Sequence, residues 1–143
     1  MRGRIAGACD RSGRSVDEVT LTVVTKFFPA SDVRLLAELG VRHVGENRHQ
    51  EAQAKAAECA DLALVWHFIG GLQSNKAAAV ASYAAVVESV DRAKVLRGLS
   101  RGADDRGQVL DVLVQVDLDP AASAGSHRAG AAPDDVLLSL IHI

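Results

Sequence analysis

A lysine that ends an apolar run is the first residue with evident chemical use. Lys26 follows Leu21, Val23 and Val24 in LTVVTK, which places it at the carboxyl end of a predicted strand. Apolar neighbours destabilise an ammonium relative to the neutral amine, and the neutral amine is the form that attacks an aldehyde. The same position also suits a lysine whose stem lies along apolar surface while its charge reaches water. Gly45-Glu46-Asn47 closes the next apolar run. Asn47 offers a donor and an acceptor, suited to a ring hydroxyl or to orienting an imine. Gly and Asn also serve simply to turn the chain, with Glu46 capping the segment after it. The most distinctive stretch is WHFIGGLQSNK, Trp66 to Lys76. Strand alternation puts His67 and Ile69 on one face and Trp66 and Phe68 on the other. Ile69 provides an apolar surface for a flat ring. His67 is either a site group or a satisfied core histidine, and Lys76 either a site cation or a solvated helix residue.

These residues need elements to carry them. Apolar, β-rich runs recur at Leu21 to Thr25, Val41 to Gly45, Leu64 to Ile69, Ala85 to Val90 and Val109 to Leu118, starting 20, 23, 21 and 24 residues apart. Helical composition fills the intervals. Ser31 is placed to cap DVRLLAELG, with Gly40 as a left-handed stop; residues 48–60 are rich in Ala, Glu and Gln; Asn75 to Tyr83 is a further helix; and Asp91 is placed to cap RAKVLRGLSRG. Strand and helix alternating at this interval imply βα units and a parallel sheet. Two α/β architectures satisfy that pattern: an open doubly wound sheet, or part of a (β/α)8 TIM barrel with about five of its eight units. Periodicity alone does not choose between them. The turn after the first run, Lys26-Phe27-Phe28-Pro29, contains no glycine, which argues against a dinucleotide-binding or P-loop turn. Residues 119–132 read as a small, polar loop, and Pro133-Asp134-Asp135 as the opening of another helix.

Composition narrows the function classes. The chain has 143 residues, 48% of them apolar and 24% charged, with a net charge of −2, as in a soluble globular protein. That charge excludes nucleic-acid binding driven by overall positive charge, and 3% aromatic residues leave no stacking platform for bases. Cys9 and Cys59 form no CxxC pair, and the five histidines follow no zinc-ligand spacing, so free thiols in a reducing cytoplasm and no metal are expected. No run is long enough to span a membrane, and the amino terminus has no apolar signal core.

Taken together and in order, VVTK with a following Pro29, VGEN with Gln50 and Glu51 close behind, WHFIGGLQSNK and ESVDR resemble the pyridoxal phosphate homeostasis protein family. The match runs from about Val19 to Leu118 and weakly on to Gly130. The resemblance implies a single (β/α)8 barrel like the N-terminal domain of alanine racemase, so that residues 1–143 form one incomplete barrel domain. It implies that Lys26 binds pyridoxal 5′-phosphate as a Schiff base and that Asn47, His67 and Ile69 line the cofactor ring. It further implies a cytoplasmic protein that holds and delivers the cofactor without catalysing a reaction, with pyridoxal phosphate-dependent apoenzymes as recipients. Two departures stand out. Arg128, in the loop with Ser126 and Gly130, replaces a residue that is often lysine in the family. Strands six to eight, which would supply the phosphate cradle, do not occur, and the ending LLSLIHI resembles nothing in the family, which reads as a truncated chain. Open edges on the first and fifth strands then predict poor solubility. Two other readings stay open. A pyridoxal-dependent racemase or decarboxylase would need a catalytic tyrosine or cysteine and a second domain, and Tyr83, the only tyrosine, falls in a helix. A small open α/β domain would act as an interaction module.

Overall fold

The computed structural model describes residues 1–118, 130–133 and 136. Helix α1 (Arg2–Ser12) leads through a short 3₁₀ turn at Val16–Glu18 into four βα repeats and a fifth strand: β1 (Thr22–Val24), α2 (Ala30–Glu38), β2 (His43–Glu46), α3 (His49–Glu58), β3 (Val65–Phe68), α4 (Ala77–Ala81), β4 (Val86–Val90), α5 (Ala93–Arg106) and β5 (Asp111–Val114). All neighbouring strands are parallel, and their order in the sheet is β1-β2-β3-β4-β5. That order settles the architecture. A doubly wound sheet starts at its middle and reverses direction at a switch point, whereas consecutive order is the wall of a (β/α)8 barrel. The chain therefore builds a five-strand sector of a barrel.

The two faces of this wall differ. Val44, Trp66, Phe68 and Val87 point towards the helices and are buried, at 0 to 6% exposure. They divide into two apolar clusters. Val33, Val44, Cys59 and Trp66 pack beneath α2 and α3, while Phe68, Val80, Val87, Val95 and Leu99 pack beneath α4 and α5. The second cluster draws its helices unusually close. A Cβ on Gly102 of α5 would lie 2.5 Å from the carbonyl oxygen of Ala78, a contact only glycine tolerates. On the opposite face, which lines the inside of a barrel, Val24 is 46% and Leu113 55% exposed.

Several expected local features turn out differently. Helix α2 begins after Pro29 rather than at Ser31, which lies within its first turn; the proline's fixed φ and missing N–H suit that boundary. Asp91 does not cap α5: the N-cap is Arg92, and the Asp91 carboxylate accepts a 2.6 Å hydrogen bond from the Arg92 guanidinium instead. The helix expected from Asn75 is confined to Ala77–Ala81, and β5 covers only the centre of its apolar run. Gly40 does adopt the expected left-handed conformation, at φ 80°. The expected loop with Ser126 and Arg128, and most of the helix expected after Pro133, lie outside the described residues.

Candidate functional site

The strand register fixes which side chains meet at the carboxyl end of the sheet. Val24 pairs with Gly45, Gly45 with His67, and His67 with Val86. Two residues further along each chain come Lys26, Asn47, Ile69 and Glu88, so by parity these four form the next layer on the inner face. Continued past the strand ends, that register assigns Lys26, Asn47 and Ile69 to one layer of the inner face, with His67 one layer deeper.

Lys26 sits in a tight turn closed by a 3.1 Å hydrogen bond from Phe28 N–H to the Thr25 carbonyl. The turn forces Phe27 to φ 70°, which costs a residue with a Cβ on the order of 1–2 kcal/mol. The Lys26 Nζ donates no hydrogen bond and joins no ion pair among the described residues; it lies 5.8 Å from the centroid of the exposed Phe27 ring, which also has the Arg48 guanidinium 5.0 Å away. Asn47 has a buried Oδ1 with no hydrogen-bond partner. Its backbone is pinned from the other side by Gly70, where a Cβ would lie 2.3 Å from the Asn47 carbonyl oxygen. Ile69 half-buries its side chain against Gly45, where a Cβ would lie 3.4 Å from Ile69 Cδ1. A half-exposed amine, an unsatisfied amide oxygen and an apolar side chain therefore share one layer.

From Glu88 in that layer a row of polar groups runs down across three strands to His67 and His43. The His67 Nδ1 lies 2.7 Å from Glu88 Oε1, and its Nε2 lies 2.9 Å from His43 Nδ1. His67 is 8% exposed and uses both ring nitrogens in this row, so it meets the layer above as a wall rather than as a free donor or acceptor. Burial first, and then the nearby His67, lower the pKa of His43.

Directly behind the site, on the helix face, lies a polar cluster that the sequence alone did not reveal. Lys55 Nζ donates to Glu46 Oε1 at 2.6 Å and to the Thr25 carbonyl at 2.8 Å, and the Thr25 hydroxyl donates to the same Glu46 oxygen at 2.7 Å. Glu46 therefore caps nothing; it is a buried ion-pair partner, 1% exposed. Thr25 precedes Lys26 and Glu46 precedes Asn47, so this cluster fixes the backbone from which both site residues project. A Glu nine residues before a Lys was visible in the sequence, but across a strand-to-helix turn that spacing matches no local pairing rule.

Tyr83 lies in the helix layer, with its ring stacked on His49 at 5.9 Å. Its hydroxyl is buried without a partner, and desolvation raises its pKa, with the charge of Glu46 adding to the effect. Lys76 is half-buried near His49, whose pKa is lowered by burial first and then by the Lys76 charge. Among the described residues no group of three His, Cys, Asp or Glu side chains is placed to hold a metal ion, and no helix is long and apolar enough to cross a membrane.

No family model matches the chain. Individual relatives do. It is 42% identical over 141 aligned residues to the pyridoxal phosphate homeostasis protein of Mycobacterium tuberculosis, covering 87% of this chain and 55% of the relative. The protein of the same name from Pseudomonas aeruginosa is 42% identical over 133 residues, 93% of this chain and 56% of its own. Among solved structures, PipY of Synechococcus elongatus PCC7942 with pyridoxal phosphate bound superposes with a TM-score of 0.74 at 36% identity, covering 95% of this chain and 60% of that one. The chain spans about half the length of the curated relatives it matches. Sequence, strand order and superposition agree in making this chain similar to the first half of pyridoxal phosphate homeostasis proteins.

Proposed function

We propose that this chain, residues 1–143, is one incomplete barrel domain that binds pyridoxal 5′-phosphate through Lys26 and serves to hold the cofactor rather than to catalyse a reaction. The observation that carries the reading is the Lys26 amine, which has no hydrogen bond or ion pair among the described residues and shares a layer with the unsatisfied Oδ1 of Asn47. These residues fit the cofactor. A primary amine, a buried amide oxygen lacking a partner and an apolar flank answer to an aldehyde, a ring hydroxyl and a flat ring.

Pyridoxal phosphate, when bound, supplies an aldehyde that condenses with a primary amine. Lys26 is that amine, aimed by the Thr25–Phe28 turn. Asn47 orients the ligand through its side-chain amide, Ile69 packs on the ring, and His67 floors the site. The non-catalytic reading is supported by Tyr83: the one tyrosine lies half-buried in the helix layer, stacked on His49, with its hydroxyl buried and held in the protonated form. Both cysteines are buried free thiols. Buried free thiols also suit a cytoplasmic location. Pyridoxal phosphate-dependent apoenzymes are the recipients this role calls for.

Absorbance tests the reading. Pyridoxal phosphate added to the chain should give a new near-ultraviolet to visible band, fixed by borohydride reduction, and Lys26→Ala should abolish it. An undiminished band in that variant removes Lys26 from the site.

A further inference from the structure

We infer that Glu88 is a positioning residue of the candidate site, locking the ring of His67 in a single tautomer and a single orientation. The inference follows from three atoms in series. An ionised Glu88 can only accept, so at 2.7 Å His67 Nδ1 must carry the proton and donate it. The neutral ring then has only a lone pair left at Nε2. That lone pair faces His43 Nδ1 at 2.9 Å, so His43 must be the donor there, which leaves the His43 Nε2 as the free lone pair at the end of the row. One carboxylate thus sets the proton positions on two imidazoles and ties β4 to β3 and β2 across the inner face.

The row has a direct bearing on the site. Glu88 stands in the same layer as Lys26, Asn47 and Ile69, while the ring it fixes lies one layer down. Its side chain is 33% exposed and that of His67 only 9%, so the carboxylate is the more open of the two and the ring it fixes is the closed one. With both nitrogens engaged, His67 offers a ligand neither a donor nor an acceptor; it offers a flat wall that does not rotate. Hydrogen bonds to a carboxylate are strong enough to hold such an orientation, and the orientation of an imidazole is set by the partner of its other nitrogen.

The consequence for cofactor binding rests on the function proposed above; the tautomer does not. Long-range proton–nitrogen correlation spectra of the ligand-free chain at about pH 8, above the ordinary histidine pKa of about 6.5, read the tautomer directly. His67 should be protonated at Nδ1 and unprotonated at Nε2, and His43→Ala should leave that pattern in place. Glu88→Leu, which neither donates nor accepts, should give a mixture of tautomers or the Nε2–H form. A wild-type His67 protonated at Nε2, or an unchanged Nδ1–H pattern in Glu88→Leu, overturns the assignment; Glu88→Gln is the milder variant if the leucine chain does not fold. Uptake of pyridoxal phosphate, followed separately by absorbance, should weaken about tenfold in Glu88→Leu, the equivalent of losing one charge-assisted hydrogen bond. If the wild-type chain takes up no pyridoxal phosphate, the reading of the site fails and the lock stands or falls on the spectra alone.

Discussion

Two lysines on opposite sides of one sheet show what separates a structural amine from an available one. Lys55 belongs to the helix layer. Its Nζ is spent on the Glu46 carboxylate and the Thr25 carbonyl, and its side chain is 10% exposed. Lys26 follows the residue whose carbonyl Lys55 grips, yet strand parity assigns it to the inner face and it donates to no described residue. The difference is one of parity: one step along the strand moves a side chain from a closed, satisfied environment to an open one. The buried ion pair does not make the protein more stable than an apolar pair of the same shape would. What it does is fix the backbone from which Lys26 and Asn47 depart.

The comparison can be broken most severely from the helix side. Lys55→Met leaves Glu46 buried with one oxygen already unsatisfied, and should cost about 3–5 kcal/mol in urea unfolding. Adding Glu46→Leu should restore most of that loss, since the two changes together remove both charges; additive losses instead would show that the pair is not the coupled unit described here. Next comes the contrast between the faces. Val87→Ala, at a fully buried position, should cost on the order of 2 kcal/mol. Leu113→Ala, on the inner face and 55% exposed, should stay within about 0.5 kcal/mol. Similar losses at both positions would mean that the inner face is covered in solution.

A smaller effect concerns protons. His43 and His49 both have pKa values lowered from the ordinary 6.5, chiefly by burial, so the unfolded chain takes up their protons first. Their contribution is therefore present above about pH 6.5 and is lost as the pH falls through the lower folded values. Urea midpoints should decline between about pH 7 and pH 5, and His43→Asn with His49→Asn should flatten that decline. The smallest effect on stability belongs to Lys26, the residue proposed to hold the cofactor. Lys26→Ala should change the unfolding free energy by no more than about 0.5 kcal/mol while removing the pyridoxal phosphate absorbance band. A large loss of stability there would show that Lys26, like Lys55, is held by the fold.

How much of this could be read beforehand depends on whether a feature is local. The position of Lys26 after an apolar run, and the division of His67 and Ile69 from Trp66 and Phe68, follow from alternation along single strands, and the structure repeats both. Helix starts were read less well. Ser31 and Asp91 have the right chemistry for caps, but Pro29 and the Arg92 guanidinium decide those boundaries. Glu88 was passed over for a different reason. It lies within ESVDR, the last of the motifs that carry the family resemblance, yet only its register against His67 gives it a partner.

The amino-acid sequence by itself determined the βα rhythm, the faces of each strand and the family that the chain resembles, because these depend on residue types at short, regular intervals. Only the tertiary structure decided that the strands run in consecutive order, that Lys55 reaches back to Glu46 and Thr25, and that His43, His67 and Glu88 form one row. Those contacts join residues 9 to 30 positions apart. Which of them meet is set by how neighbouring strands register and how each helix crosses over, and no periodicity within one segment carries that information.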